Sequence, residues 1–146
     1  MSKPISHSLV KSLRTVPDFA SLDDHMLLSI VGASSNLFWP AGATIFEEGS
    51  PSEALYVILS GQVRIFGLED GREVEVVRLE AGASFGELSL LLHTTHTKAA
   101  QTLEDTELMV VPEASFEELL SANRELAGQF RRKIQERLPV QGQISS

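Results

Sequence analysis

The chain contains no cysteine, so it has neither disulfides nor thiolate metal ligands. Tryptophan and tyrosine occur once each, as Trp39 and Tyr56. Both read as packing residues rather than as base-stacking groups. Basic residues are outnumbered: 12 lysines and arginines stand against 20 acids, for a net charge of −8. That balance favours solubility and argues against broad, nonspecific attachment to nucleic acid or anionic membrane. No apolar run approaches the roughly 20 residues needed to span a bilayer. The opening Met-Ser-Lys-Pro-Ile-Ser-His lacks the apolar core of a signal peptide. No nucleophile–base pair stands at a diagnostic spacing, so an enzyme is not expected. The chain of 146 residues, 42% hydrophobic and 22% charged, is long enough for one domain with a sizeable core, and the expected location is the cytoplasm.

The chain's texture changes along its length. Residues 6–14 and 23–31 read as short helices, with Ser21 and Asp23 as N-cap candidates and Leu22, Met26, Leu27 and Ile30 at helical spacing. Val16-Pro17-Asp18-Phe19 reads as the turn between them, because proline disfavours helix in the residue before it. From Asn36 onward, turn signals recur about every ten residues. They are Trp39-Pro40-Ala41-Gly42, Glu48-Gly49-Ser50-Pro51, Ser60-Gly61, Glu69-Asp70-Gly71 and Ala81-Gly82. The runs between them, 44–46, 54–59, 62–66 and 73–79, have the partial alternation of strands, and 97–103 and 107–111 follow. Short strands with regular turns indicate a β-roll or jelly roll. Asp70-Gly71 is a hairpin signal. Pro112 then opens a long helix whose stripe is Phe116, Leu119, Leu120, Leu126, Ala127, Phe130 and Ile134, interrupted by Asn123. The fold class is therefore mainly β with flanking helices. The expected layout is a helical segment over 1–35, a roll over 36–111, a C-terminal helix over 112–138 and a polar tail over 139–146.

Phe85-Gly86-Glu87-Leu88-Ser89-Leu90 carries the most chemistry. A glycine lets backbone N–H groups approach a ligand closely, and a helical turn starting behind it makes an anion-binding concavity. A carboxylate beside it can accept a hydrogen bond from a sugar hydroxyl. Together these suggest a nucleotide pocket.

In this order, the elements resemble the cyclic-nucleotide-binding domain family, which includes the sensor domain of the catabolite activator protein and the regulatory subunits of cyclic-AMP-dependent protein kinase. The resemblance rests on Val16 to Leu22, Ala41 to Gly49, Leu55 to Val63, Phe85 to Leu90 and Leu103 to Leu108, and covers nearly the whole chain. It implies a regulatory or sensor module that binds cyclic AMP or cyclic GMP in the roll. Binding would be transmitted through the C-terminal helix, to a homodimer partner or to a regulated protein. It further implies a phosphate-binding cassette over 85–97. Phe85 would open this ligand-binding turn, Gly86, Glu87, Leu88 and Ser89 would supply the backbone cradle, and the Glu87 side chain would bind the ribose 2′-hydroxyl. In the family an arginine then pairs with the phosphate. Counting back from Leu108 and Phe116 places His96 there, with Thr97 beside it and Lys98 two residues on, on the same strand face. Histidine is mostly neutral at pH 7 and offers one N–H where arginine offers a charged fork. The loss amounts to about 2 kcal/mol, or roughly thirtyfold in affinity. The alternative is a nucleotide-free relative of the fold, used for dimerisation or protein docking. His93 and His96 suggest a metal only in passing. Without an evident third ligand they read as loop residues, and no metal is expected.

Overall fold

A computed structural model describes residues 10–132 apart from 12, 15–18 and 21. In chain order the elements are α1 (Asp24–Ala33), β1 (Ser35–Trp39), β2 (Thr44–Phe46), β3 (Ala54–Ser60), β4 (Gln62–Glu69), β5 (Arg72–Glu80), β6 (Ser84–Phe85), α2 (Glu87–Leu92), β7 (Ala99–Thr102), β8 (Thr106–Pro112) and α3 (Glu113–Ala122). A further helix, α4, covers 124–132, and a helical turn lies within 10–14. The remainder of the 6–14 helix, the proline turn at 16–18, the Ser21 cap and the chain beyond 132 lie outside the described residues. Asp23 caps α1, its carboxylate accepting the Met26 N–H at 2.9 Å.

Two antiparallel sheets form the roll, in the orders β1-β8-β3-β6 and β2-β7-β4-β5. The β4–β5 hairpin turns at Asp70-Gly71, both with positive φ, and pairs Glu69 directly with Arg72. That is the two-residue turn expected of Asp-Gly. The strands expected over 44–46, 54–59, 62–66, 73–79 and 107–111 are present, most of them extended by a few residues. The strand expected to begin at Thr97 begins at Ala99. Two strands, β1 and β6, carry no alternating signal: β1 has exposed residues on both faces, and β6 is two residues long.

Strands β3 and β8 separate two cores. Leu55 and Val57 of β3 and Met109 and Val111 of β8 face one cluster, shared with Leu27 and Ile30 of α1, Leu90 of α2, and Phe116, Leu119, Leu126 and Phe130. The alternate residues, Tyr56, Ile58, Leu108 and Val110, face the interior of the roll with Val63, Phe85 and Ala100. This is period-two alternation with both faces covered, which is why these strands read as nearly continuous apolar runs.

The single long C-terminal helix is corrected to two. α3 ends at Asn123, whose backbone is extended, with φ −139° and ψ 98°. The Asn123 side chain then accepts the Leu126 N–H at 2.9 Å, and its carbonyl accepts the Ala127 N–H at 3.1 Å. Asparagine closes one helix and caps the next, because its amide oxygen satisfies N–H groups that a continuing helix would pair internally. The apolar stripe bends with it and packs back on its own roll: Phe116, Leu126 and Phe130 are fully buried, and the Phe116 and Phe130 rings meet edge to face at 5.2 Å. Asn123→Ala should cost about 1 kcal/mol through loss of the cap. Urea unfolding of the two proteins checks this, and an unchanged midpoint would count against the cap.

Candidate functional site: a cavity at one end of the roll

The site is built on the turn between β6 and α2. Gly86 has φ 89° and ψ −2° and immediately precedes α2, which has no side-chain cap at its N-terminus. A Cβ at position 86 would stand 3.2 Å from the Ala54 carbonyl oxygen and 3.2 Å from Cδ2 of Tyr56. The backbone angle favours glycine there, and the space leaves little room for a side chain. The turn starts a helix whose first N–H groups have no intrahelical acceptor.

The elements around this turn enclose a cavity of about 430 Å³. Phe85, Gly86, Glu87, Ser89, His96, Thr97 and Lys98 all line it, so the sequence-predicted residues from the cassette's two ends meet across one space. Leu88 lies in the first turn of α2. Glu87 is 3% exposed and is the one buried carboxylate among the described residues. Ser89 is also buried, and its carbonyl accepts the Thr94 N–H at 3.0 Å, which fixes the loop leaving α2.

His96 occupies its position in a way the sequence does not disclose. Its ring lies flat on Phe46, with centroids 3.6 Å apart and planes within 4°. Its backbone is pinned to the turn before β3: the His96 N–H donates to Ser50 O at 2.9 Å, and the Gly49 N–H donates to His96 O at 2.7 Å. The residue is buried, and its Nε2 is shut from solvent with no hydrogen-bond partner. Burial lowers its pKa below the ordinary histidine value, against a smaller opposing effect of the Glu53 carboxylate. His96 is therefore neutral at pH 7 and does not replace an arginine's charge. Among the described residues, Lys98 is the one lysine or arginine lining the cavity, and it enters no salt bridge with another of them. Its stem runs over Gly67 of β4, where a Cβ would come within 2.9 Å of Lys98 Cδ.

The lowered pKa has a consequence for stability. The unfolded chain binds the proton more readily than the folded one below the ordinary histidine pKa of about 6.5. His96 thus removes stability as pH falls from about 6.5 toward its depressed folded value, and has no such effect above that window. His96→Gln should flatten the loss of stability between pH 7.5 and 5.5 relative to wild type, as read from urea midpoints. Parallel profiles for the two proteins would contradict the buried neutral ring.

Several wall residues are illegible as site residues in the sequence. Phe46, Tyr56, Phe85 and His96 form one aromatic cluster, with Phe85 and Tyr56 stacked at 5.1 Å. Phe46 lines the cavity although it lies 50 positions from His96. Ile65, Val76, Val77, Leu79 and Ser84 complete the wall. Val76 and Val77 are adjacent yet both face the cavity, because the β4–β5 register shifts after Ile65. A β-bulge of this kind breaks strict alternation. The shift between Ile65 and Phe66, opposite Val77 and Glu75, is its signature.

An antiparallel roll whose cavity is lined by a left-handed glycine, a buried acid and a lysine defines a domain of the β-roll class. The chain belongs to the cyclic nucleotide-binding domain family, whose model matches residues 37–123. It is 39% identical over 74 residues to the cyclic AMP receptor protein of Thermus thermophilus, a match covering 50% of this chain and 34% of that protein. It is 35% identical over 98 residues to the cAMP-dependent protein kinase regulatory subunit of Aspergillus niger, covering 67% of this chain and 23% of that one. The chain thus spans a minor part of the length of these curated relatives. Among solved structures, the sensor domain of the transcriptional regulator DNR from Pseudomonas aeruginosa superposes with a TM-score of 0.82 at 24% identity, over 94% of this chain and 92% of that domain. No helix among the described residues is long and apolar enough to cross a membrane.

Proposed function

We propose that the chain is a cyclic-nucleotide-binding module that takes cyclic AMP or cyclic GMP into the cavity and passes the binding event to a partner through its C-terminal helices. The backbone N–H groups of Gly86 to Ser89 hold the cyclic phosphate, and Glu87 accepts a hydrogen bond from the ribose 2′-hydroxyl. Lys98 supplies the positive charge, as a point charge rather than an arginine fork. Thr97 and His96 complete the phosphate side, and the aromatic and aliphatic wall takes the base. The observation that carries this reading is the left-handed Gly86 beside the buried Glu87, in one cavity with Lys98. The names of the curated relatives, a cyclic AMP receptor and a cAMP-dependent kinase regulatory subunit, support the ligand class. Calorimetric titration with cyclic AMP and with cyclic GMP tests it. Saturable one-to-one heat with either supports the reading, and no heat and no thermal shift with both contradicts it.

The sealed, stacked His96 and a cavity wall without arginine among the described residues favour a second reading, a nucleotide-free domain used for dimerisation or docking. Because Phe116, Leu126 and Phe130 are buried in the chain's own core, a homodimer through the C-terminal helices would use their opposite face. Sedimentation across a concentration series separates the readings: a concentration-dependent dimer with no nucleotide response is the signature of the second.

A further inference from the structure

Outside the cavity, one cluster brings together side chains that the sequence keeps 20 and 24 positions apart. His93 terminates α2 in a left-handed conformation, φ 55° and ψ 44°, its N–H donating to the Leu90 carbonyl. Across from it, Glu113 and Glu117 sit one turn apart on α3. His93 Nδ1 stands 3.8 Å from Glu113 Oε2 and 3.7 Å from Glu117 Oε1. One ligand atom from each of the three residues lies within 4.8 Å of the other two.

We propose that His93, Glu113 and Glu117 form a binding site for a first-row divalent metal ion, with zinc the best match to the donor set. Three features carry the assignment. The imidazole–carboxylate distances are too long for hydrogen bonds. They are close to the separation, roughly 3.4 Å, of two ligands held about 2.0–2.1 Å from a tetrahedral zinc. Two carboxylates one turn apart on a helix repel each other, and a dication between them and the imidazole removes that repulsion. One imidazole and two carboxylates suit zinc better than calcium or magnesium, which prefer oxygen alone. Three protein ligands leave a position open for water. His96 is not a ligand, because its ring is committed to Phe46. The site ties the end of the helix that starts at the Gly86 cradle to α3, so an occupied site clamps the cavity's helix to the C-terminal helices.

Titration of tag-free protein with zinc chloride in the calorimeter tests the assignment. The expected result is one ion per chain and a rise in Tm with zinc. Affinity should fall about tenfold or more in His93→Gln and in Glu117→Gln, since each loses a ligand. It should be unchanged in His25→Gln, which removes an exposed histidine elsewhere. Absence of saturable binding would overturn the site. So would equal affinity in all four proteins, which would mark surface binding only. Cobalt(II) gives a second readout, through the visible absorption of a low-coordinate ion in wild type and its loss in the two ligand variants.

Discussion

Gly86→Val is expected to abolish cyclic-nucleotide binding while leaving a weakened fold. Position 86 has φ 89°, a conformation a β-branched residue adopts only under strain, and its Cβ would stand 3.2 Å from the Ala54 carbonyl oxygen and the Tyr56 ring. The strain costs about 1–3 kcal/mol if the turn is retained. If the turn relaxes instead, the first N–H groups of α2 move and the cradle is lost. Either path removes the proposed phosphate site. Urea unfolding measures the first effect and nucleotide titration the second. Gly86→Ala, with the same φ problem and less bulk, should fall between valine and wild type in both. Full affinity in the valine variant would mean that the ligand binds elsewhere.

His96→Arg is the second large effect, and it should move stability and affinity in opposite directions. In the ligand-free protein the neutral ring is buried on Phe46. A guanidinium there is always charged, so it faces a desolvation cost that the Glu53 carboxylate offsets only in part. The variant is therefore less stable without ligand. With a cyclic nucleotide present, the same charge meets the phosphate and forms a bidentate pair. The gain is about 2 kcal/mol, or roughly thirtyfold in affinity. A variant that is less stable and binds no tighter would show that position 96 does not reach the phosphate.

Local chemistry made much of this legible in the sequence. Asp70-Gly71 specifies its own turn, and the two positive φ values are the ones that residue pair favours. Phe85-Gly86-Glu87 reads as a cradle because the glycine, the acid and the helix start are contiguous. Asn123 was half legible: it marked a gap in the apolar stripe, but a polar residue in a stripe does not by itself reveal a cap for a second helix. What stayed hidden depends on contacts between distant residues. Phe46 and His96 stack because β2 pairs with β7 and the chain before β7 is held to Gly49 and Ser50. That stacking makes His96 a buried, neutral residue of the cavity wall, so that among the described residues Lys98 carries the wall's positive charge. Val76 enters the wall through a bulge that no alternating pattern encodes. His93 looked like a loop residue without a third ligand, because Glu113 and Glu117 arrive from another helix.

The most direct test of the account is an amide and imidazole NMR titration of labelled wild-type protein with cyclic AMP and with cyclic GMP. The account predicts that one of them shifts the amides of Gly86 to Ser89 and the His96 ring most strongly, and that Gly86→Val loses those shifts. Saturating nucleotide that moves none of these signals, or moves a different region of the chain, would contradict it.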